Sequence, residues 1–518
     1  MENGEVPAEA DGLMGKKGKY SPTVASGADA APTKRHVAQR YVFAVLGCIG
    51  MSITYGLKVN FHVCIVTMIN HTAVRAAGNA SGHASSAHSA ASECAEPGHN
   101  DTEMAGSNLV DGPFTWDAII QGVLLGSYFY GYLVTQVLGG RLAELLSAKW
   151  TFGVSVFLNV LLALLTPPAA WLGWGYLLAI RILQGMVGGV TLPATHVLLS
   201  KWSPVNERSR ISSLVYAGMS LGTVISVSFT GLLAAVLGWE EVFYVQGGLS
   251  LIFVVLWFVF VYDSPEKHPW ISDTETALIN QDRGDSHGPN PPLPWREIIK
   301  SLPFWAIMIS HTGSNFGWYM ILTELPTYMS TILGFDIASN AVLSSVPFLV
   351  MWIYSIILGN VLDHLGSKGI ITRTTSTKIA TSIAAFVPAL CLAVVTYVGC
   401  QTALAVFLLT IATGAIGSMY SGFLSNHISI APAFAGTLMA ITNTAATVPG
   451  MLVPSFVGAL IHEENTVSQW RIIFFVTSGL FVFHGVQYLL FASGEEQQWA
   501  KDARRRAVPQ EEPDSSRH

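Results

Sequence analysis

The chain has 518 residues, of which 51% are hydrophobic and 12% charged, with a formal net charge of −6. A soluble domain carries about 25% charged residues, so this balance excludes an ordinary soluble enzyme and suits lipid. Where the charges fall says more than their sum.

Residues 1–40 are polar, rich in Gly, Ala and Ser, and lack the apolar core of a signal peptide, so a disordered cytoplasmic tail is expected. Twelve apolar stretches of roughly 20 residues then follow. They begin near Tyr41, Trp116, Trp150, Gly173, Ile211, Glu241, Pro303, Ala341, Ile379, Thr402, Phe434 and Arg471. Each is too long and too uniformly apolar for a barrel strand, and backbone polar groups in hydrocarbon need internal partners, so each is read as a helix. The expected fold is an all-α membrane protein of twelve transmembrane helices in two six-helix halves. The first half covers 41–262, with an outer loop at 70–115. A cytoplasmic linker at 263–302 joins it to a second half at 303–492, followed by a cytoplasmic tail at 493–518.

The two halves look duplicated. GNVLDHLGSK, from Gly359 to Lys368, has a worn counterpart in GRLAELLSAK, from Gly140 to Lys149. Each places an acid, Asp363 or Glu144, four residues after its glycine. Trp239 with Phe243 and Tyr244 is matched by Trp470 with Phe474 and Phe475, each opening the last span of its half. Two similar multi-span halves are the mark of a secondary transporter with its substrate site between the repeats. Gly359, Asp363 and Lys368, with Gly140 and Glu144, are therefore read as a conformational hinge away from the substrate.

Loop cations fall almost entirely on one side, which the positive-inside rule makes cytoplasmic, together with both termini. The loop at 70–115 lies on the other side and carries three glycosylation sequons, at Asn70, Asn79 and Asn100. Asn79 and Asn100 are the better placed, because Asn70 adjoins the membrane. Five cysteines, Cys48, Cys64, Cys94, Cys391 and Cys400, show no metal spacing, and Cys94 is alone in the outer loop, so no disulfide is expected.

Charges inside lipid cost roughly 2.5 to 3.5 kcal/mol on insertion scales and are functional by default. Lys58 in the first span and Arg181 in the fourth stand out, and helix rise puts both in the outer half of the membrane. Two cations at one level repel unless an anion lies between them, so they are read as a site for carboxylate or phosphate. The alternative is structural, with each cation paired to an acid or snorkelling to the interface. Arg181, Gln184 and Gly188 form one stripe. Tyr319 and Asn426 complete the candidate substrate contacts. His196, His311, His427 and His484 fall in spans and could bind substrate or carry protons, and His196 is also counted among the substrate contacts. His196, His427 and Glu324 are the coupling candidates, Glu324 being either a partner for Lys58 or interfacial.

The stretch RILQGMVGGVTLPATHVLLSKWSPVNERSR resembles the anion:cation symporter branch of the major facilitator superfamily, the group of sialin, the vesicular glutamate transporters and the sodium-phosphate cotransporters. The likeness extends through YGLKVNFHVCIVTM, GWEEVFYVQGG, YDSPEKHPWIS, ELPTYM, SGFLSNHISIAP and FASGEEQQWA, and TELPTYM is closest to invertebrate phosphate-cotransporter-like and sialin-like members. The resemblance implies a twelve-helix fold, alternating access, and movement of an organic anion or phosphate coupled to an ion or to membrane potential. It implies that Arg181 is the substrate-binding arginine, that His196 is the fourth-helix histidine, and that Glu207 with Arg208 is the cytoplasmic pair. Two departures stand out. Lys58 replaces an arginine and loses its bidentate fork, and Gln184 and Gly188 stand where proton-coupled members carry glutamates. Ser314 also stands where the glutamate transporters have an arginine.

The sequence thus describes a carrier of small anions, not an enzyme. No cofactor or metal is expected, only sodium or a proton as coupling ion. Expected partners are the anionic substrate and the bilayer, with no nucleic acid, and the chain is expected to be a monomer in the plasma membrane or a lysosomal or vesicular membrane. A transport-defective relative acting as a receptor or regulator is the alternative, motivated by the missing glutamates.

Overall fold

The computed structural model describes residues 38–70, 72–73, 112–116, 118–281, 293–333, 337–461 and 466–507. Asn79, Asn100, Cys94 and most of the loop at 70–115 lie outside the described residues, as do the first 37 residues and the last 11.

Twelve long helices follow one another: α1 (Gln39–Met68), α2 (Ala118–Leu145), α3 (Ala148–Leu164, continued as Thr166–Leu172), α4 (Trp174–Gly188, continued as Thr191–Trp202), α5 (Arg208–Val236), α6 (Trp239–Phe260), α7 (Leu302–Thr331), α8 (Ile337–Ser367), α9 (Arg373–Val398), α10 (Thr402–Ile416, continued through a 3-10 turn as Phe423–Ile430), α11 (Ala435–Ile461) and α12 (Val467–Phe491). Among the described residues nine are apolar and long enough to cross a membrane alone, and the two pieces of α3, bent by 44°, make a tenth. The other two, α2 and α7, have the length but spend it on polar residues such as Tyr128, Tyr132, Gln136, His311 and Asn315. Those residues point to the middle of the molecule, where α2 packs on α4 and α11, and α7 on α11 and α12. Outward faces carry large bare apolar side chains, among them Val134, Leu232 and Leu490. That distribution is stable only against lipid.

The duplication is visible in the turns. Gly173 (φ 133°) joins α3 to α4 and Gly399 (φ 59°) joins α9 to α10, both in conformations that disfavour a side chain. It is visible also where the halves meet. Gly140 on α2 lies so close to Gly436 and Ala440 of α11 that an added Cβ would come within 2.8 Å of the Gly436 carbonyl. Gly359 on α8 is as close to Ser209 and Ser213 of α5. The acid one turn on then caps the partner helix. Glu144 accepts from the Thr437 N–H and hydroxyl, both at 2.6 Å. Asp363 accepts from the N–H groups of Ser209 (3.2 Å) and Arg210 (2.6 Å). Each carboxylate sits at a helix N-terminus, where free N–H groups and the helix dipole favour negative charge.

Two expectations are corrected, the start of α1 and the state of Cys400, and the linker and final tail are found to hold short helices. Gln39 and Arg40 belong to α1 and not to the tail: Ala38 offers no capping side chain, and Glu275 accepts from the N–H groups of both residues at 3.0 and 3.1 Å. The linker at 263–302 holds helices at Asp273–Asn280 and Trp295–Lys300, and the final tail a helix at Gln498–Ala507. Cys400 is disulfide-bonded, while Cys48, Cys64 and Cys391 are free. Spacing along the chain gave no hint of that bond.

Candidate functional site

Between the halves lies a narrow cavity lined by Tyr55, Tyr132, His311, Asn315, Tyr319, Tyr420 and Asn443, among others. It offers about 20 Å³ to the centre of a water molecule, room for about one water. The end of the molecule bearing Glu144 and Asp363 is sealed by the clamps described above. Polar contacts continue the seal inward: Asn443 donates to the Tyr132 hydroxyl at 3.1 Å, and Gln136 donates to Thr447 at 3.1 Å. Ser220 meets the Tyr420 hydroxyl at 3.2 Å. Such hydrogen bonds average about 0.6 kcal/mol each in a membrane bundle, so the seam is closed yet separable.

Lys58 and Arg181 sit behind the tyrosine wall. Arg181 is 1% exposed, Lys58 6%. The ammonium is ringed by Phe129 at 4.5 Å, Tyr55 at 5.2 Å, Tyr132 at 5.3 Å, Tyr128 at 5.6 Å and Tyr319 at 5.7 Å. Four of these come from the first half and Tyr319 from the second. The Arg181 guanidinium lies over Phe61 (4.5 Å) and Tyr128 (5.4 Å) and donates from Nη1 to Gln184 Oε1 at 3.0 Å, while its Nε and Nη2 have no hydrogen-bond partner. Among the described residues no carboxylate pairs with either cation. Glu324, the acid that could have answered Lys58, accepts instead from the Thr323 hydroxyl at 3.0 Å. Aromatic rings therefore hold two buried cations that no acid among the described residues neutralises.

Arg181, Gln184 and Gly188 are all buried on α4. Tyr128 of α2 places its hydroxyl where a Cβ on Gly188 would go, so the position keeps no room for a longer residue. His62, one turn after Lys58 and within reach of both charges, has an unpartnered Nδ1. Neither Tyr128 nor His62 stands out in sequence, since an aromatic or a histidine in a span is ordinarily core.

The other expected residues divide. Tyr319 lines the cavity and faces Lys58. Asn426 does not reach it: its amide donates to the Tyr488 hydroxyl (3.0 Å) and the Ser493 carbonyl (2.9 Å) inside the second half. His196 and His427 meet ring to ring at 5.4 Å across the halves, with His311 at 6.2 Å from His427. Glu207 accepts from Arg40 at 2.8 and 3.2 Å and from the Tyr41 hydroxyl at 3.0 Å, and Arg40 donates in turn to Glu275 at 3.0 Å. Arg208 is buried at the start of α5. Lys368 is exposed. Lys149, its counterpart, donates to the Phe258 carbonyl at 3.0 Å. No group of histidine, cysteine and acid side chains among the described residues could hold a metal ion.

Two clamped helical halves with apolar outer faces, around a closed cavity with two buried cations behind its wall, define a membrane transporter. The chain belongs to the Major Facilitator Superfamily, which residues 63–454 match. It is 39% identical over 474 residues to a Drosophila melanogaster protein named putative inorganic phosphate cotransporter, covering 90% of this chain and 87% of that protein. It is 39% identical over 473 residues to human sialin, covering 91% of this chain and 92% of sialin. The fold is similar to the proton:xylose symporter XylE bound to 6-bromo-6-deoxy-D-glucose (TM-score 0.63, 12% identity, 90% of this chain and 98% of that one). These relatives support a transporter and not an enzyme, and the receptor alternative finds no support.

Proposed function

We propose that the protein is a secondary-active carrier of a small anion, inorganic phosphate or a small carboxylate, with Arg181 as its main ligand. One observation carries this reading: a fully buried guanidinium keeps Nε and Nη2 unpaired, facing no acid. A buried charge without a counter-charge is costly enough that structures pair it, and a bound oxyanion supplies the pair with charge-assisted, fork-shaped hydrogen bonds. Gln184 orients the guanidinium, and Lys58 adds charge from the tyrosine cage.

The two clamps, Glu144 on Thr437 and Asp363 on Ser209 and Arg210, lock one end of the carrier. Releasing them opens the cavity there while the aromatic contact of Phe129 with Tyr319 (5.8 Å) closes the other side. We assign the clamped end to the cytoplasm, with both termini, from the charge distribution of the loops. The disulfide at Cys400, in the α9–α10 turn of the opposite end, supports that assignment, because disulfides persist in oxidising compartments. The protein named as a phosphate cotransporter supports phosphate as a substrate class, and a proton as coupling ion is in keeping with the proton symporter of similar fold.

The test is uptake of labelled phosphate and of a panel of small carboxylates into proteoliposomes under imposed proton, sodium and voltage gradients. Saturable uptake of at least one anion, increased by an inward proton gradient, is expected. Absence of flux for every anion in the panel would overturn the reading.

A further inference from the structure

We infer that His311 is the group that takes up the coupling proton, through its Nε2, from the central cavity. The inference rests on the carrier reading and answers the question left by the absent acids of α4.

The argument is a count of hydrogens. His427 Nδ1 lies 2.9 Å from the Leu424 carbonyl, which can only accept, so Nδ1 carries a hydrogen. In a neutral His427, Nε2 is then bare and accepts the Thr442 hydroxyl at 2.8 Å. That hydroxyl has one hydrogen. His311 Nδ1, 3.1 Å from the same oxygen, must therefore donate to it. Giving the Thr442 hydrogen to His311 instead would leave the bare His427 Nε2 against the hydroxyl oxygen at 2.8 Å, the shorter contact, with no hydrogen between them, and giving it to the Met439 carbonyl at 3.2 Å leaves none for His311 either. Either way His311 carries its hydrogen on Nδ1. Neutral His311 thus presents a bare Nε2, which has no hydrogen-bond partner among the described residues, while the side chain lines the cavity.

His196 is oriented in the same manner and is closed to the cavity. Its Nε2 lies 3.0 Å from the same Leu424 carbonyl and its Nδ1 3.3 Å from the Leu192 carbonyl, with the Tyr216 hydroxyl against the ring, so both nitrogens are already engaged. His484, on α12 against Gly313 of α7, has two unpartnered ring nitrogens but lines no part of the cavity. The titratable groups facing His311 are thus His427 and, beyond it, His196, with His484 behind α7 and the hydroxyls of Tyr55, Tyr132, Tyr319 and Tyr420 around the cavity. No acid pairs with it among the described residues. When the cavity is wet, a hydronium gives its proton to Nε2: the N–H bond forms, one O–H bond breaks, and water is left. The imidazolium adds a positive charge to the cavity, which favours an anion there, and by reciprocity the anion favours the proton. On the other side of the membrane the proton returns to water.

Two measurements decide the point. In lipid vesicles, nitrogen NMR of the histidine-labelled full chain, compared with His311→Asn to assign the signal, should show neutral His311 as the Nδ1–H tautomer. The Nε2–H tautomer would overturn the inference. Asparagine keeps an N–H in the place of Nδ1 for Thr442 but cannot titrate. In proteoliposomes loaded with labelled phosphate, His311→Asn should lower the ratio of pH-gradient-driven accumulation to exchange at least tenfold, and a ratio equal to wild type would overturn the inference. If wild type exchanges phosphate but never accumulates it on a proton gradient, the proton role of His311 fails and the carrier reading stands. If wild type does neither, phosphate transport itself fails, and the tautomer then decides the assignment of His311.

Discussion

Lys58 and Arg181 face one and the same ring: the ammonium is 5.6 Å and the guanidinium 5.4 Å from the centroid of Tyr128. Those distances bound their separation at about 11 Å, where two like charges repel by about 1.5 kcal/mol or more at an effective dielectric of ~20. Each ring contributes about 0.5 to 2 kcal/mol of cation–π attraction, enough to hold the cations in place but not to neutralise them. Two cations held this way fit the anion site proposed above.

Tyr128 also fills the space beside Gly188, so those two positions should be coupled. Gly188→Ala alone is expected to lower transport and stability by forcing Tyr128 aside, at a cost of about 1 to 3 kcal/mol, the range for overpacking. Adding Tyr128→Phe removes the atom in closest conflict and should recover part of the loss. A double-mutant cycle on thermal stability measures this, and strictly additive effects would show that the two side chains do not share the space.

Asp363 caps α5 and Glu144 caps α11 far from the cations, so their loss should alter switching and leave binding alone. Asp363→Asn is expected to lower the maximal rate of anion uptake several-fold with little change in the half-saturation constant, and Glu144→Gln to do the same. A raised half-saturation constant at a normal maximal rate would contradict the clamp.

Asp263, in the loop after α6, ties three elements by accepting from Ser147 (2.9 Å), the Lys149 N–H (3.2 Å) and Lys201 (2.7 Å). Burial pushes its carboxyl up, but the Lys201 charge and these hydrogen bonds outweigh burial and hold it below the usual carboxylate range. A depressed folded-state value means stability that is fully present above about pH 4 and lost as pH falls through that value. Asp263→Asn should thus cost about 1 to 3 kcal/mol at neutral pH. In thermal unfolding the gap from wild type should close in acid, and a gap constant down to pH 3 would contradict the assignment.

Asn79 and Asn100 lie in the loop assigned to the outside. Replacing both with Gln should shift the protein from eukaryotic cells to lower mass on a gel. Glycosidase treatment of wild type should produce the same shift, and its failure to do so would contradict the topology.

Much of this was legible along the chain because the signals are local. Twelve apolar runs, a repeated glycine-to-acid spacing and two isolated cations in spans need no knowledge of folding. What was hidden depends on contacts between distant residues. Arg40 reads as tail until Glu207 and Glu275 are brought to it, and Asn426 reads as a substrate contact until Tyr488 claims its amide. The absence of acids in α4 suggests lost proton coupling. Only the fold shows Tyr128 filling that space, and His311 joined to His427 through Thr442.

The central claim is that Arg181 binds the transported anion through its guanidinium fork. Lysine keeps the charge but not the paired N–H geometry, so Arg181→Lys separates charge from shape. Uptake of the transported anion into proteoliposomes containing equal amounts of folded wild type and Arg181→Lys is the most direct measurement. A loss of uptake of at least ~100-fold is expected, corresponding to about 2.7 kcal/mol. Uptake by Arg181→Lys at the wild-type rate and half-saturation constant would contradict the account.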